Sequence, residues 1–149
     1  MTLKDKALRI ALGEIGVEEH PKGSNSGPRV NEYLKSIGLD GGYPWCMAFV
    51  YFCFNEAAKE LEIKNPLVKT GGVMAHYRKA SNRSKDPEAG DIFIMDYGKG
   101  MGHTGIVEWV GHEEIHTIEG NTNDEGSREG YEVCRRVRPK SKILTYLKY

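Results

Sequence analysis

The 149-residue chain has no net charge, since 21 Lys and Arg balance 21 Asp and Glu. That balance leaves no electrostatic footprint for nucleic acid or for an anionic membrane surface, and neither is expected as a partner. Long apolar runs are missing too. None approaches the roughly 20 residues of a membrane-spanning helix, so membrane insertion by that route is not expected. The leading stretch MTLKDKALRIALGEIG mixes charged and apolar residues. It lacks the apolar core and cleavage site of a secretory signal. The expectation is synthesis in the cytoplasm, with any action outside the cell needing another route of release. Cysteine is scarce, with only Cys46, Cys53 and Cys134. An odd count argues against a full disulfide framework and leaves at least one thiol free. What is present is ordinary: 39% hydrophobic and 28% charged residues, enough for one domain, residues 1–149, with its own core.

The chain changes character midway. Thr2 followed by Asp5 resembles a capping box, and Leu3, Ala7, Ile10 and Ala11 follow at helical spacing up to Gly13 or Gly16. After a polar loop, Pro28 suits the first turn of a second helix, with Val30, Tyr33, Leu34 and Ile37 on one side and Gly38 as its stop. CMAFVYFCFNEAAKELEI predicts a third helix over 45–61, buried at its start; a short fourth is expected over 73–80. Beyond SNRSKDPEAG the segments DIFIMDY, TGIVEWV, EIHTIEG, YEVCRRVR and ILTYLKY are short, β-branched and aromatic. Gly, Asn and Asp clusters separate them. The fold class expected is α+β: N-terminal helices on an antiparallel sheet of about five strands.

Two metal-like patterns stand in the second half. His112-Glu113-Glu114-Ile115-His116 spells the H-E-x-x-H of zinc peptidases. That chemistry needs both histidines on one helical face. Here Gly111 precedes the pattern and strand-like segments flank it. The better reading is a hairpin, with His112 in the turn and His116 in the following strand. Residues 121–132, NTNDEGSREGYE, approximate a calcium loop, with Gly126 sixth and Glu132 twelfth. Asn121 stands where Asp is expected and no helices flank it, so a polar loop is the better reading. No metal and no cofactor is expected.

Cys46 opens the third helix. Unpaired N–H groups and the positive end of the helix dipole stabilise a thiolate there, and the same groups can donate to an oxyanion. Cys53, two turns on and flanked by Phe52 and Phe54, gets no such help and reads as a core residue. Cys134 lies in an expected strand and reads likewise. A thiolate nucleophile needs a base, and the base needs an orienting group. His103 follows a glycine-rich stretch and begins a strand. If the chain turns over residues 111–113, the returning strand carries Glu119 back beside His103. Asn121 then points the same way if the strand continues. Each residue alone is commonplace; the three meeting at one hairpin end is not.

With these residues in place the sequence resembles the CHAP family, cysteine- and histidine-dependent amidohydrolases and peptidases with a papain-like fold. GPRVNEYLKSIGLDGGYPWCMAFVYFCFNEA is similar to the family's leading helix, loop and nucleophile helix. PEAGDIFIMDYGKGMGHTGIVEWV is similar to its Pro-x-x-Gly-Asp strand and Gly-His strand, and IHTIEGNTN to its Glu-Gly-Asn end. The resemblance implies Cys46 as nucleophile, His103 as general base and acid, Glu119 as orienting residue and Asn121 as a supporting polar group. Tyr43 and Trp45 become candidates for substrate or oxyanion contact. The implied reaction is hydrolysis of a peptidoglycan amide, as an N-acetylmuramoyl-L-alanine amidase or a peptide endopeptidase, through a thioester acyl-enzyme. Peptidoglycan is then the partner, with an immunity protein or an export or lysis system as further candidates, and a monomer is expected. Only Asp40 is acidic close before Cys46, so the calcium-binding residues of some members are not evident. Rival readings are a cytosolic amidase on a small peptide conjugate, a zinc peptidase using His112 and His116, and a catalytically silent wall-binding module.

Overall fold

The computed structural model describes residues 1–122 and 130–149. Among them are four α-helices, α1 (Leu3–Gly13), α2 (Pro28–Ser36), α3 (Cys46–Glu60) and α4 (Val73–Lys79). The strands are β1 (Arg83–Ser84), β2 (Ile92–Gly98), β3 (Met101–Val110), β4 (Glu114–Thr122), β5 (Glu132–Pro139) and β6 (Thr145–Leu147). They form one six-stranded sheet in the order β1-β6-β2-β3-β4-β5, antiparallel throughout. The fold is α+β, with one strand more than the sequence predicts. The extra strand, β1, is two residues long inside the loop-like SNRSKDPEAG. No alternation can register over two residues; pairing of Arg83 with Leu147 makes it a strand. The calcium-like pattern at 121–132 lies largely outside the described residues. No described helix is long and apolar enough to cross a membrane.

Local chemistry explains the helix ends. Thr2 caps α1 by accepting from the Asp5 N–H at 3.3 Å, and Asp5 accepts in return from the Thr2 N–H, which completes the box. Pro28 starts α2, where a missing N–H goes unnoticed. α3 carries the core: Cys46 through Phe54 are all buried, as are Ala57 and Ala58. A helix apolar on every side must be covered on every side. α1 and α2 pack against it on one flank and β3 and β4 on another. The Tyr33 ring stacks on Trp45 at 5.7 Å and meets Phe49 and Phe52 edge-on at 5.3 and 5.0 Å.

The sheet splits its side chains between two clusters. Ile92, Ile94, Ile106, Ile118 and Val133 join the helix-facing core. Phe93, Met95, Val107 and Ile115 form a second cluster closed by Ile143 and Tyr146. Asp91, fully buried, anchors the head of β2 by accepting from the Glu88 N–H, Lys4 and Lys148. Gly120 lets β4 touch α3. A Cβ there would stand 2.7 Å from the Trp45 ring and 2.9 Å from Phe49 Cβ. Cys53 is fully buried, and burial pushes its thiol well above the ordinary value. Cys53→Ala is therefore expected to lower stability by about 1 kcal/mol, read by urea unfolding, with turnover unchanged.

Candidate active site

Cys46 is the first residue of α3, behind Trp45 at the cap position. Trp45 has no side chain able to cap, so none covers the first-turn N–H groups from that position. Cys46 is 4% exposed and is the one member of its cluster on the wall of a groove of about 410 Å³. Tyr43, Leu39, Gly71–Val73 and Gly100–Gly102 line the rest of that groove. Behind the thiol sits His103, near the start of β3 and paired with Met95 of β2. Its ring lies flat against Tyr97 at 6.4 Å and tilted to Phe93 at 6.2 Å.

The hairpin brings Glu119 back as its Gly111 turn implies. His103 Nε2 lies 2.7 Å from Glu119 Oε1. Oε1 also accepts from Arg138 Nη2 at 2.5 Å, and Oε2 accepts from Arg138 Nε at 2.9 Å and the Thr117 hydroxyl at 2.6 Å. These contacts occupy the acceptor sites of a carboxylate. Gly105 makes room for them, because a Cβ there would stand 2.7 Å from Glu119 Cγ. With Nε2 bound to the carboxylate, Nδ1 is the ring nitrogen left for the thiol. The Cys46 side chain interacts with the His103 ring and contributes to its affinity for a proton.

Charge follows from this arrangement. Burial opposes the cationic form of His103, but Glu119 and the Cys46 side chain outweigh it and hold the imidazole pKa at about 9. Burial likewise opposes the Glu119 carboxylate, but the hydrogen bonds from Arg138 and the charge of His103 hold it at about 2. His76 is the contrast. It is also fully buried, yet has no carboxylate, and burial alone pushes it down to about 4. An imidazolium beside a thiol at an uncapped helix start favours the thiolate, which is the nucleophilic form.

Three expected residues, Cys46, His103 and Glu119, therefore meet. Asn121 does not join the ring. A bulge between Glu119 and Thr122, with Asn121 at φ +57°, breaks the alternation that would aim both side chains one way. Asn121 instead accepts from the Trp45 N–H at 2.8 Å and donates to the Gly130 carbonyl at 2.6 Å, tying the head of α3 to the sheet. Trp45 is not a substrate contact. It is fully buried, and its indole N–H donates to buried Glu19 at 2.7 Å. Tyr43, half exposed, does line the groove. His112 lies in the turn between β3 and β4 and His116 within β4, so the helix that a zinc peptidase needs is not there. Among the described residues no group of three or more His, Cys, Asp or Glu side chains converges as a metal site. Arg138 and Thr117 escaped the sequence reading. An arginine in the strand-like YEVCRRVR carries no sign of which neighbour it will meet.

The CHAP domain family matches residues 38–121, more than half of the chain. The chain belongs to the CHAP family. Solved structures similar to this CHAP domain include the wild-type endolysin LysIME-EF1, with a TM-score of 0.62 at 17% identity over 99% of this chain and 64% of that one. Ly7917 gives 0.53 at 16% over 99% and 62%, and Ly7917 with the hydrolysing product of MDP gives 0.54 at 15% over the same shares. At such identities the likeness is one of fold, and the chain spans less than two thirds of either protein. No curated protein matches the chain.

Two outcomes follow for this CHAP domain. The folded pKa of His103, about 9 against an ordinary 6.5, means that its charge stabilises the fold fully below about pH 6.5. That contribution is lost as pH rises through about 9. Thermal melts from pH 6 to pH 10 should fall across this window, and His103→Gln should lack the step. Glu119 acts in the opposite sense, its contribution lost only as pH falls from about 4.5 towards about 2. Arg138→Met removes two donors from a buried carboxylate and is expected to destabilise by about 3–5 kcal/mol in urea unfolding.

Proposed function

We propose that this CHAP domain, acting as one catalytic unit over residues 1–149, hydrolyses an amide bond of peptidoglycan with Cys46 as nucleophile. The observation that carries the reading is the meeting of a helix-start thiol, open to a groove, with a buried imidazole fixed by an ionised carboxylate. Membership of the CHAP family and the likeness in fold to endolysin structures support peptidoglycan as the substrate.

In the proposed cycle the Cys46 thiolate attacks the amide carbonyl carbon. The N–H groups at the head of α3 receive the oxyanion. His103, protonated on Nδ1, delivers that proton to the departing amine as the C–N bond breaks, leaving a thioester. Neutral His103 then takes a proton from water, whose oxygen attacks the thioester carbonyl. The carboxylic acid leaves, and the proton held by the ring restores the ion pair with the regenerated thiolate. Glu119 keeps Nε2 protonated throughout, which aims Nδ1 at the sulfur. Asn121 supports the site at one remove by holding the Trp45 backbone. The domain reaches the wall after lysis or export, with an immunity protein or a release system as the partners that route calls for.

Cys46→Ala and His103→Ala are each expected to lower turnover of purified peptidoglycan by at least about a thousandfold, because nucleophile and base act as a unit. Glu119→Gln should cost less. Alkylation of the thiol should abolish activity and chelation should leave it intact; the reverse pattern would return the reaction to a metal. Mass spectrometry of the released fragments assigns the bond. A free lactyl carboxyl with a stem peptide starting at its first alanine marks an amidase, whereas an intact lactyl–alanine amide with a new C-terminus and N-terminus inside the peptide marks an endopeptidase. Full activity in Cys46→Ala would end the nucleophile assignment.

A further inference from the structure

His116 has a partner that the H-E-x-x-H pattern does not disclose. It pairs across strands with Trp109 on one side and with Val137 on the other, so the three form a row over β3, β4 and β5. Further along these strands, Ile106, Ile118 and Val133 lie in the helix-facing core. The row continues that face past the end of the helix layer. Trp109 is 50% exposed and Val137 56%. The Trp109 and His116 rings stack at 3.6 Å and 12°, so one indole face is occupied and the ring is held in place. A register shift between Val107 and Trp109 inserts Glu108, which Arg135 grips through Nε at 2.9 Å and Nη2 at 3.3 Å. Together these groups line a groove of about 560 Å³ that shares no residue with the groove at Cys46.

We propose that this row is a second binding site, for the N-acetylhexosamine sugars of a glycan strand in the same wall polymer. The inference rests on peptidoglycan being the substrate. A flat, immobilised indole suits the apolar C–H face of a pyranose ring. The Glu108–Arg135 pair places acceptors and donors at its edge, where hydroxyl and acetamido groups would lie. Three strands span about 10 Å, room for a disaccharide. Charge also fits a sugar better than a polyion. Glu108, Glu113 and Glu114 are interspersed with Arg135, Arg136 and Lys140 around the row. A protein partner fits poorly. Half an indole and half a valine offer on the order of 200 Å² of apolar surface, against roughly 450 Å² of apolar area per partner in a stable interface. Two separate contacts on one polymer raise the time a hydrolase spends near its bonds without changing the chemistry at either.

The two tryptophans, Trp45 and Trp109, make the test direct. In ¹⁵N-labelled Cys46→Ala protein the two indole N–H signals are followed during titration with a tetramer of N-acetylglucosamine. The Trp109 signal, assigned by its loss in Trp109→Phe, should shift and saturate, while that of buried Trp45 stays in place. In the Cys46→Ala background, Trp109→Ala should weaken co-sedimentation with purified sacculi about two- to tenfold; in otherwise wild-type protein it should leave turnover of a small soluble muropeptide unchanged. Trp109→Phe, which keeps a ring on His116, should fall between. A Trp109 signal indifferent to the sugar overturns the site. So does a Cys46→Ala, Trp109→Ala protein that sediments as Cys46→Ala alone does. A Trp109 signal that moves with protein concentration alone also overturns it, in favour of self-association. If wild-type protein leaves sacculi uncut while the sugar still shifts Trp109, the site stands and the hydrolase reading falls.

Discussion

A carboxylate with no solvent around it organises this protein. Glu119 is fully buried, and an ion there is tolerable only if its oxygens are filled. They are filled from three strands: His103 on β3, Thr117 on β4 itself and Arg138 on β5. A slip of one residue in either pairing would send a donor to the other face and strand the charge. The same ion pair that could anchor the sheet register therefore also fixes the imidazole that faces Cys46. Stability and the proposed chemistry share one set of atoms.

The thiol arrives from the other layer. α3 must be seated against the sheet to within hydrogen-bonding tolerance, or Cys46 and His103 would face one another across a gap. Three contacts seat it. Asn121 grips the Trp45 backbone, Glu19 grips the Trp45 indole, and Gly120 removes the side chain that would hold β4 away from Phe49. None of these residues touches the groove. Trp45 in particular matters as a buried anchor immediately before Cys46. The open surface lies on the other side of Cys46, where glycines at 71–72, 100 and 102 keep the walls low.

The proposed chemistry and the proposed second site sit at two separate grooves of one molecule. His103 and His116 illustrate the difference that surroundings make to one side chain. The first is enclosed with a carboxylate and stays cationic up to about pH 9. The second lies under an indole at the surface and serves as a support for it. Nothing in the residue type separates the two roles, and neither does local spacing, since the more motif-like histidine is the one outside the Cys46 cluster.

The amino-acid sequence by itself determined what depends on near neighbours. The capping box of Thr2 and Asp5, Pro28 at a helix start, the all-round apolar α3 and the Gly111 hairpin are local patterns with local causes, and they were legible. From them came the nearness of His103 to Glu119 and the place of Cys46 at a helix head. Only the tertiary structure decided what depends on residues far apart in the chain. The two-residue β1 exists because β6 lies beside it. Arg138 closes on Glu119 because β4 and β5 pair in one register, and Asn121 turns to the backbone of α3 because a bulge interrupts β4. Alternation along a strand fixes which face a residue takes, but a bulge resets it, and a buried charge finds its partner only when separate strands have been brought together.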